Sequence, residues 1–249
     1  MKNFILILIL IIFSRSIQAI EANKILMVAS NVNDMGDPEK HDARNNLWEY
    51  APAYHVFVSH GYEVDFVSPY GGQIPFMMDP IGISSYTIKY EGFLDKANNS
   101  LRPEELNPNN YSAVYIGGGY GNLFDVATDE KIMRLIANIY EQGGIVGSCG
   151  HGAGGFANVK LSDGNYLIKD KKIAGFPNST ELQKSWAKKG ALLPFFVETK
   201  LSQNGAIVIN KQSVPDKHAV ITDQRIVTSM FLPSAAIVAK EILNLLNKK

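Results

Sequence analysis

The chain is expected to fold as one α/β domain, a three-layer sandwich around a mainly parallel sheet. Apolar strand-like runs alternate with segments that carry apolar residues at helical spacing, the pattern of a parallel sheet covered on both faces. A second observation is Ile145-Val-Gly-Ser-Cys-Gly-His-Gly152, an apolar run that breaks into a small, turn-permissive sequence and then into a helix-like segment over residues 153–159. Strand, sharp turn and helix in that order make a nucleophile elbow, which lifts one side chain above the end of a parallel sheet. The backbone N–H groups that follow such a turn point at whatever the side chain attacks.

The elements follow in order. Lys2 precedes an unbroken apolar run over residues 4–13, and a short polar stretch ends at Ala19, which reads as a cleavable secretory signal over 1–19. The run is too short for a spanning helix, which needs about 20 residues. Its removal takes Lys2 and Arg15 but no acid, so 20–249 forms the domain with a formal charge of 22 − 24 = −2. Residues 24–30, 63–68, 113–116 and 145–149 read as successive strands. Residues 46–60 and 129–142 read as helices stopped by Gly61 and by Gly143-Gly144. Residues 73–108, rich in Pro, Gly, Asn and Ser, are expected to cover the sheet end. Residues 161–174 alternate around Asp163-Gly164, a hairpin signal, and residues 234–246 form a closing helix.

A near-neutral chain with no basic run argues against nucleic acid or anionic membranes as partners. The single cysteine, Cys149, excludes an internal disulfide, and no zinc-ligand spacing is present, so no metal or cofactor is expected. His41, His55, His60 and His218 read as surface or packing residues. Asn98, Asn110 and Asn178 head glycosylation sequons, which have meaning only in a eukaryotic secretory pathway. Cys149 with His151 two residues on looks like a thiol site. Strand side chains alternate, however, so Cys149 and Gly150 face opposite ways. If Gly150 is the turn, the thiol points back into the sheet packing, with no cation or helix N-terminus facing it to lower its pKa. Glu49 stands among Leu47, Trp48 and Tyr50, where a carboxyl tends to be pushed toward its neutral form.

Several stretches together resemble the ThiJ/PfpI superfamily (class I glutamine amidotransferase-like), and within it the heat-shock chaperone and glyoxalase III-like branch. They are Lys24-Ile-Leu-Met-Val-Ala-Ser30, Gly61-Tyr-Glu-Val-Asp-Phe-Val-Ser-Pro69, Gly117-Gly-Gly-Tyr-Gly-Asn-Leu-Phe-Asp125, Ile139-Tyr-Glu-Gln-Gly-Gly144 and Ile173-Ala-Gly-Phe-Pro-Asn-Ser-Thr-Glu181. The resemblance implies a flavodoxin-like sandwich, a homodimer and a catalytic set. Glu49 matches the acid that shares a proton with the family thiol. His151 matches the family histidine, and Glu181 the acid that orients it. Backbone N–H groups of Gly118 or Gly119 and of His151 match the oxyanion donors.

The family cysteine directly precedes the histidine, and here that position is Gly150. Cys149 falls one residue early. The expected function is therefore an exported, catalytically altered glyoxalase III-like protein that binds a small carbonyl or carboxylate compound, with extra volume where the thiol is missing. Three alternatives remain: an active lyase converting methylglyoxal to lactate through Cys149, a holdase chaperone, and a cysteine peptidase or amidase.

Overall fold

The computed structural model describes residues 24–78, 81–188, 192–210 and 219–248; the expected signal segment 1–19 and His218 lie outside the described residues. The strands are β1 (Lys24–Val28), β2 (Asn45–Asn46), β3 (Glu63–Val67), β4 (Phe76–Met77), β5 (Tyr111–Ile116), β6 (Ile145–Cys149), β7 (Lys172–Ala174), β8 (Ile207–Ile209), β9 (Ile221–Asp223) and β10 (Ile226–Ser229). The helices are α1 (Leu47–Ser59), α2 (Ile83–Tyr90), α3 (Phe93–Asn98), α4 (Glu130–Glu141), α5 (Gly152–Gly155), α6 (Asn178–Glu181), α7 (Ser185–Lys188), α8 (Val197–Gln203) and α9 (Ala235–Leu246).

Six strands form the central sheet in the order β3-β1-β5-β6-β10-β9, parallel throughout except for the antiparallel edge strand β9. Period-2 alternation sends Ile25, Met27, Tyr115, Ile145, Cys149 and Val227 to one face, packed with apolar residues of α1 and α9. Leu26, Val28, Val114, Ile116, Val146 and Ile226 go to the other, packed with residues of α4, α5 and α8. This is the three-layer sandwich expected. Helix starts follow their capping side chains. Asn46 accepts from Trp48 N–H to open α1, and Asp129 accepts from Ile132 N–H to open α4. Gly61 (φ 83°) and Gly143 (φ 101°) lie just past the ends of α1 and α4, in a conformation that L-side chains resist.

Two local expectations need correction. The helix expected over 153–159 is only the single turn α5. Its glycines admit close neighbours: a Cβ on Gly154 would run into the Leu123 side chain, and one on Gly152 into the Ile116 carbonyl oxygen. The hairpin over 161–174 shrinks to one bridge, Lys160 with Tyr166, because Lys172–Ala174 pairs instead with β8 in parallel. The described residues of the 73–108 insertion carry two helices, with α2 against α1 and α3 near β3, while β4 pairs with β2 and Leu101 bridges Val67 at the end of β3.

Candidate active site

The site forms where β5 and β6 end side by side, with Ile116 opposite Ser148. Gly150 makes the turn from β6 to α5 with φ 55°, the left-handed region that glycine tolerates. Its N–H donates to Ser229 O at 2.9 Å, which ties the turn to β10. A Cβ placed on Gly150 would lie 2.5 Å from Glu49 Oε2. The turn is thus aimed at Glu49, and the carboxyl already fills the space a side chain there would need. The extra volume expected at this point is absent for that reason.

Glu49 sits in the first turn of α1 and is 4 % exposed. Tyr115 O–H donates to its backbone carbonyl at 2.7 Å and fixes the helix start to the sheet. One carboxyl oxygen, Oε1, accepts from Asn46 Nδ2 at 3.3 Å, and the carboxyl also accepts from Gly118 N–H. Oε2 is buried without a hydrogen-bond partner. Burial dominates, and it raises the Glu49 pKa from 4.5 to about 7. The first turn of a helix favours a carboxylate, yet desolvation outweighs that effect here.

His151 follows Gly150, and its Nε2–H donates to Glu181 Oε2 at 2.7 Å. Tyr120 O–H donates to the other oxygen, Oε1, also at 2.7 Å. The imidazole stacks on Phe176 (ring centroids 4.0 Å apart, 22° between planes) and lies 4.3 Å from the Tyr120 ring. With both Glu181 oxygens accepting, Nε2 carries the proton and Nδ1 is the nitrogen left for other chemistry. Burial first, then the hydrogen bond to Glu181, raises the Tyr120 hydroxyl far above its usual range, so it remains a donor.

The Cys149 thiol approaches the Glu49 carboxyl from within the core. It is fully buried on the α1/α9 face, and Sγ donates to Phe231 O at 2.8 Å. It also stands close enough to Glu49 to interact with that carboxyl. The expectation that no helix N-terminus faces the thiol is wrong: the Ser234 N–H, one residue before α9, is directed at the sulfur. Burial and the nearby Glu49 carboxyl outweigh that donor and hold the thiol well above its ordinary pKa. The sulfur is a neutral thiol at neutral pH.

The structure brings Glu49, Cys149, Gly150, His151 and Glu181 to one end of the sheet. Gly118 spends its N–H on Glu49, and Gly119 (φ 135°) stands against the backbone of Arg44 and Asn45. Sequence reasoning missed Asn46, a local partner three residues before Glu49, and Tyr120 and Phe176, whose roles depend on contacts across long sequence separations. Beyond Tyr120 lies Trp186, with ring centroids 5.4 Å apart. Trp186 lines a cavity of ≈ 300 Å³ with Asp37, Glu39, His41, Ser185 and Leu192. Among the described residues no group of His, Cys, Asp and Glu has the arrangement to hold a metal ion.

The DJ-1/PfpI family model matches residues 43–245, and the chain belongs to that family. Its relatives include Glyoxalase 3 of Candida albicans, 27% identical over 201 residues that span 76% of this chain and 84% of that protein. The glutathione-independent glyoxalase HSP31 of Saccharomyces cerevisiae is 26% identical, over 64% of this chain and 70% of that one. The crystal structure of glyoxalase III from Candida albicans superposes with a TM-score of 0.78 at 25% identity, covering 89% of this chain and 96% of that one. That of the Francisella tularensis Rapid Encystment Protein 24 kDa gives 0.80 at 25%, covering 89% and 97%. Within the family, the chain is glyoxalase III-like.

Proposed function

We propose that this protein is a glyoxalase III-like family member in which Gly150 takes the place of the nucleophilic cysteine, leaving a site that binds a small carbonyl or carboxylate compound. The observation that carries this reading is the backbone of Gly150. Its positive φ at the strand-to-helix turn and the aim of its missing Cβ at Glu49 Oε2 are what a nucleophile elbow requires, and no side chain is there. His151, held by Glu181 and wedged between Phe176 and Tyr120, is pre-organised to orient a ligand oxygen, with the N–H groups of Gly119 and His151 as the proposed oxyanion donors.

The test is a calorimetric titration with pyruvate, which offers a carbonyl and a carboxylate together. Saturable binding is expected in the native protein and equally in Cys149→Ser. Binding that disappears in Cys149→Ser would place the thiol in the site. One observation favours that second reading, an active lyase using Cys149: the thiol stands beside Glu49. Its burial and its hydrogen bond to Phe231 O argue the other way.

Export belongs to the same proposal and rests on Lys2, the apolar run and Ala19. N-terminal sequencing of secreted or periplasmic protein is expected to begin at Ile20. An intact Met1 on cytoplasmic material would refute it.

A further inference from the structure

The cavity beyond Tyr120 is built by two segments distant in sequence, and the first is a closed loop over residues 34–42. Asp34 bridges Asp42 there, and Met35 N–H donates to His41 O at 2.9 Å. Inside the loop the Asp37 carboxyl accepts from Glu39 N–H at 3.0 Å, from His41 N–H at 2.9 Å and from His41 Nδ1–H at 2.8 Å. Its side chain is 7 % exposed. Burial works against its charge, but these hydrogen bonds prevail and hold the Asp37 carboxyl below its ordinary pKa. A fixed carboxylate therefore stands in the lining at neutral pH.

The second segment supplies Trp186, in α7. Its ring meets the Tyr120 ring edge-on at 83°, which fixes the indole, and lies 5.8 Å from the His41 ring. Pro38 and Leu192 add apolar surface around a space of ≈ 300 Å³. Glu39 lines the same space with a side chain 82 % exposed, and its Oε2 lies 3.5 Å from His41 Nε2. A protonated His41 cancels at most one of the two negative charges, so the lining is net negative in either state of the imidazole. No lysine or arginine is among the described residues that line it.

An indole, an apolar lining and net negative charge in one cavity favour a ligand that is positively charged and can lie against a ring. An anion would be repelled. A neutral apolar molecule would displace water from the Asp37 and Glu39 carboxylates and give nothing in return. Among the described residues no group of His, Cys, Asp and Glu is arranged to hold a metal ion, so the cation is an organic one. We propose that this cavity is a binding site for a small organic cation, a guanidinium or ammonium group received by Trp186 and by the Asp37 and Glu39 carboxylates. A guanidinium fits both features at once: its plane stacks on an indole while its N–H fork meets a carboxylate. The site is distinct from Glu49 and Gly150 and does not depend on how the turn after β6 is read.

The test is a calorimetric titration with agmatine, which carries a guanidinium at one end and an ammonium at the other. It is run on the native protein and on Trp186→Leu, Glu39→Gln and Glu49→Gln, each checked for folding by its melting curve. Saturable binding at one site is expected in the native protein. Trp186→Leu is expected to weaken it about 10-fold, the scale of a partly desolvated cation–π contact. Glu39→Gln is expected to weaken it about 3-fold, as for an exposed charge pair. Its exposed side chain keeps the test sound should Trp186→Leu fail to fold. Glu49→Gln is expected to bind agmatine as the native protein does, and 1-pentanol, an uncharged molecule of similar length, at least ~10-fold more weakly than agmatine. Four results would each overturn the proposal: no saturable agmatine binding to the native protein, native affinity in both Glu39→Gln and any folded Trp186→Leu, 1-pentanol bound as tightly as agmatine, or agmatine binding lost in Glu49→Gln. The last would move the cation to the sheet-end site.

Discussion

Glu49→Gln is expected to stabilise the protein by roughly 3 kcal/mol at pH 8 and to have little effect at pH 4. The folded carboxyl titrates at about 7 against an ordinary 4.5. Below 4.5 it is protonated in both states and adds no pH dependence. As pH rises from 4.5 to about 7 the unfolded chain loses the proton while the folded chain keeps it, so stability falls across that window and levels off above it. This is the reverse of a salt-bridged carboxylate, because among the described residues no cation acts on Glu49. What surrounds it is Asn46, Gly118 N–H and the neutral groups of Tyr50, Tyr115 and Cys149. A shift of this size at about 1.4 kcal/mol per pH unit gives the figure quoted. For a chain of this length it raises the melting temperature at pH 8 by about 6–12 °C. Urea titrations of both proteins at pH 4 and pH 8 would check it. A Gln variant no more stable than native at pH 8 would mean that the carboxylate has a compensating partner. Stability gained together with pyruvate binding lost would mark Glu49 as a group held at a cost for ligand recognition.

Gly152→Ala is expected to lower stability by about 3 kcal/mol or more, the upper range for forced overpacking. A Cβ there would collide with the Ile116 carbonyl oxygen and lie 2.8 Å from the Gly117 carbonyl oxygen. Both are backbone atoms at the end of β5, and neither can swing aside as a side chain does. Gly164→Ala serves as the contrast. It has φ 82° but nothing within 4 Å of an added Cβ, so only the backbone penalty of about 1–2 kcal/mol applies. Melting curves of the two variants should therefore separate clearly. Equal losses would show that the β5 end yields, and that close packing is not why glycine stands at 152.

Much of the fold was legible because its signals are local. The strands β1, β3, β5 and β6 are apolar runs, and α1 and α4 carry helical spacing bounded by Asn46 and Asp129 on one side and glycine on the other. The shortness of α5 was hidden, because its glycines answer to Leu123, Val126 and Ile116, far off in sequence. Lys172–Ala174 was assigned to a hairpin because Asp163-Gly164 is a strong turn, while its true partner β8 lies more than thirty residues away. Glu49, His151 and Glu181 could be placed by resemblance alone. Tyr120 and Phe176 could not, since nothing local marks a ring that will clasp a histidine. Nor did alternation reveal that Ser234 N–H would reach Cys149, although it did turn the thiol into the sheet packing, which the structure identifies as the α1/α9 face.

The central claim is that the site works without the chain's thiol, and the rate at which iodoacetamide alkylates Cys149 tests it most directly. A neutral, fully buried sulfur bonded to Phe231 O should react only when the structure opens, at least ~100-fold more slowly in the native protein than in urea at pH 7.5. Mass spectrometry of the peptide containing Cys149 gives both rates. Slow native alkylation, with full reaction in urea, is the result the account predicts. Alkylation of the native protein as fast as in urea, rising with an apparent pKa below that of a free thiol, would show an exposed thiolate and contradict it.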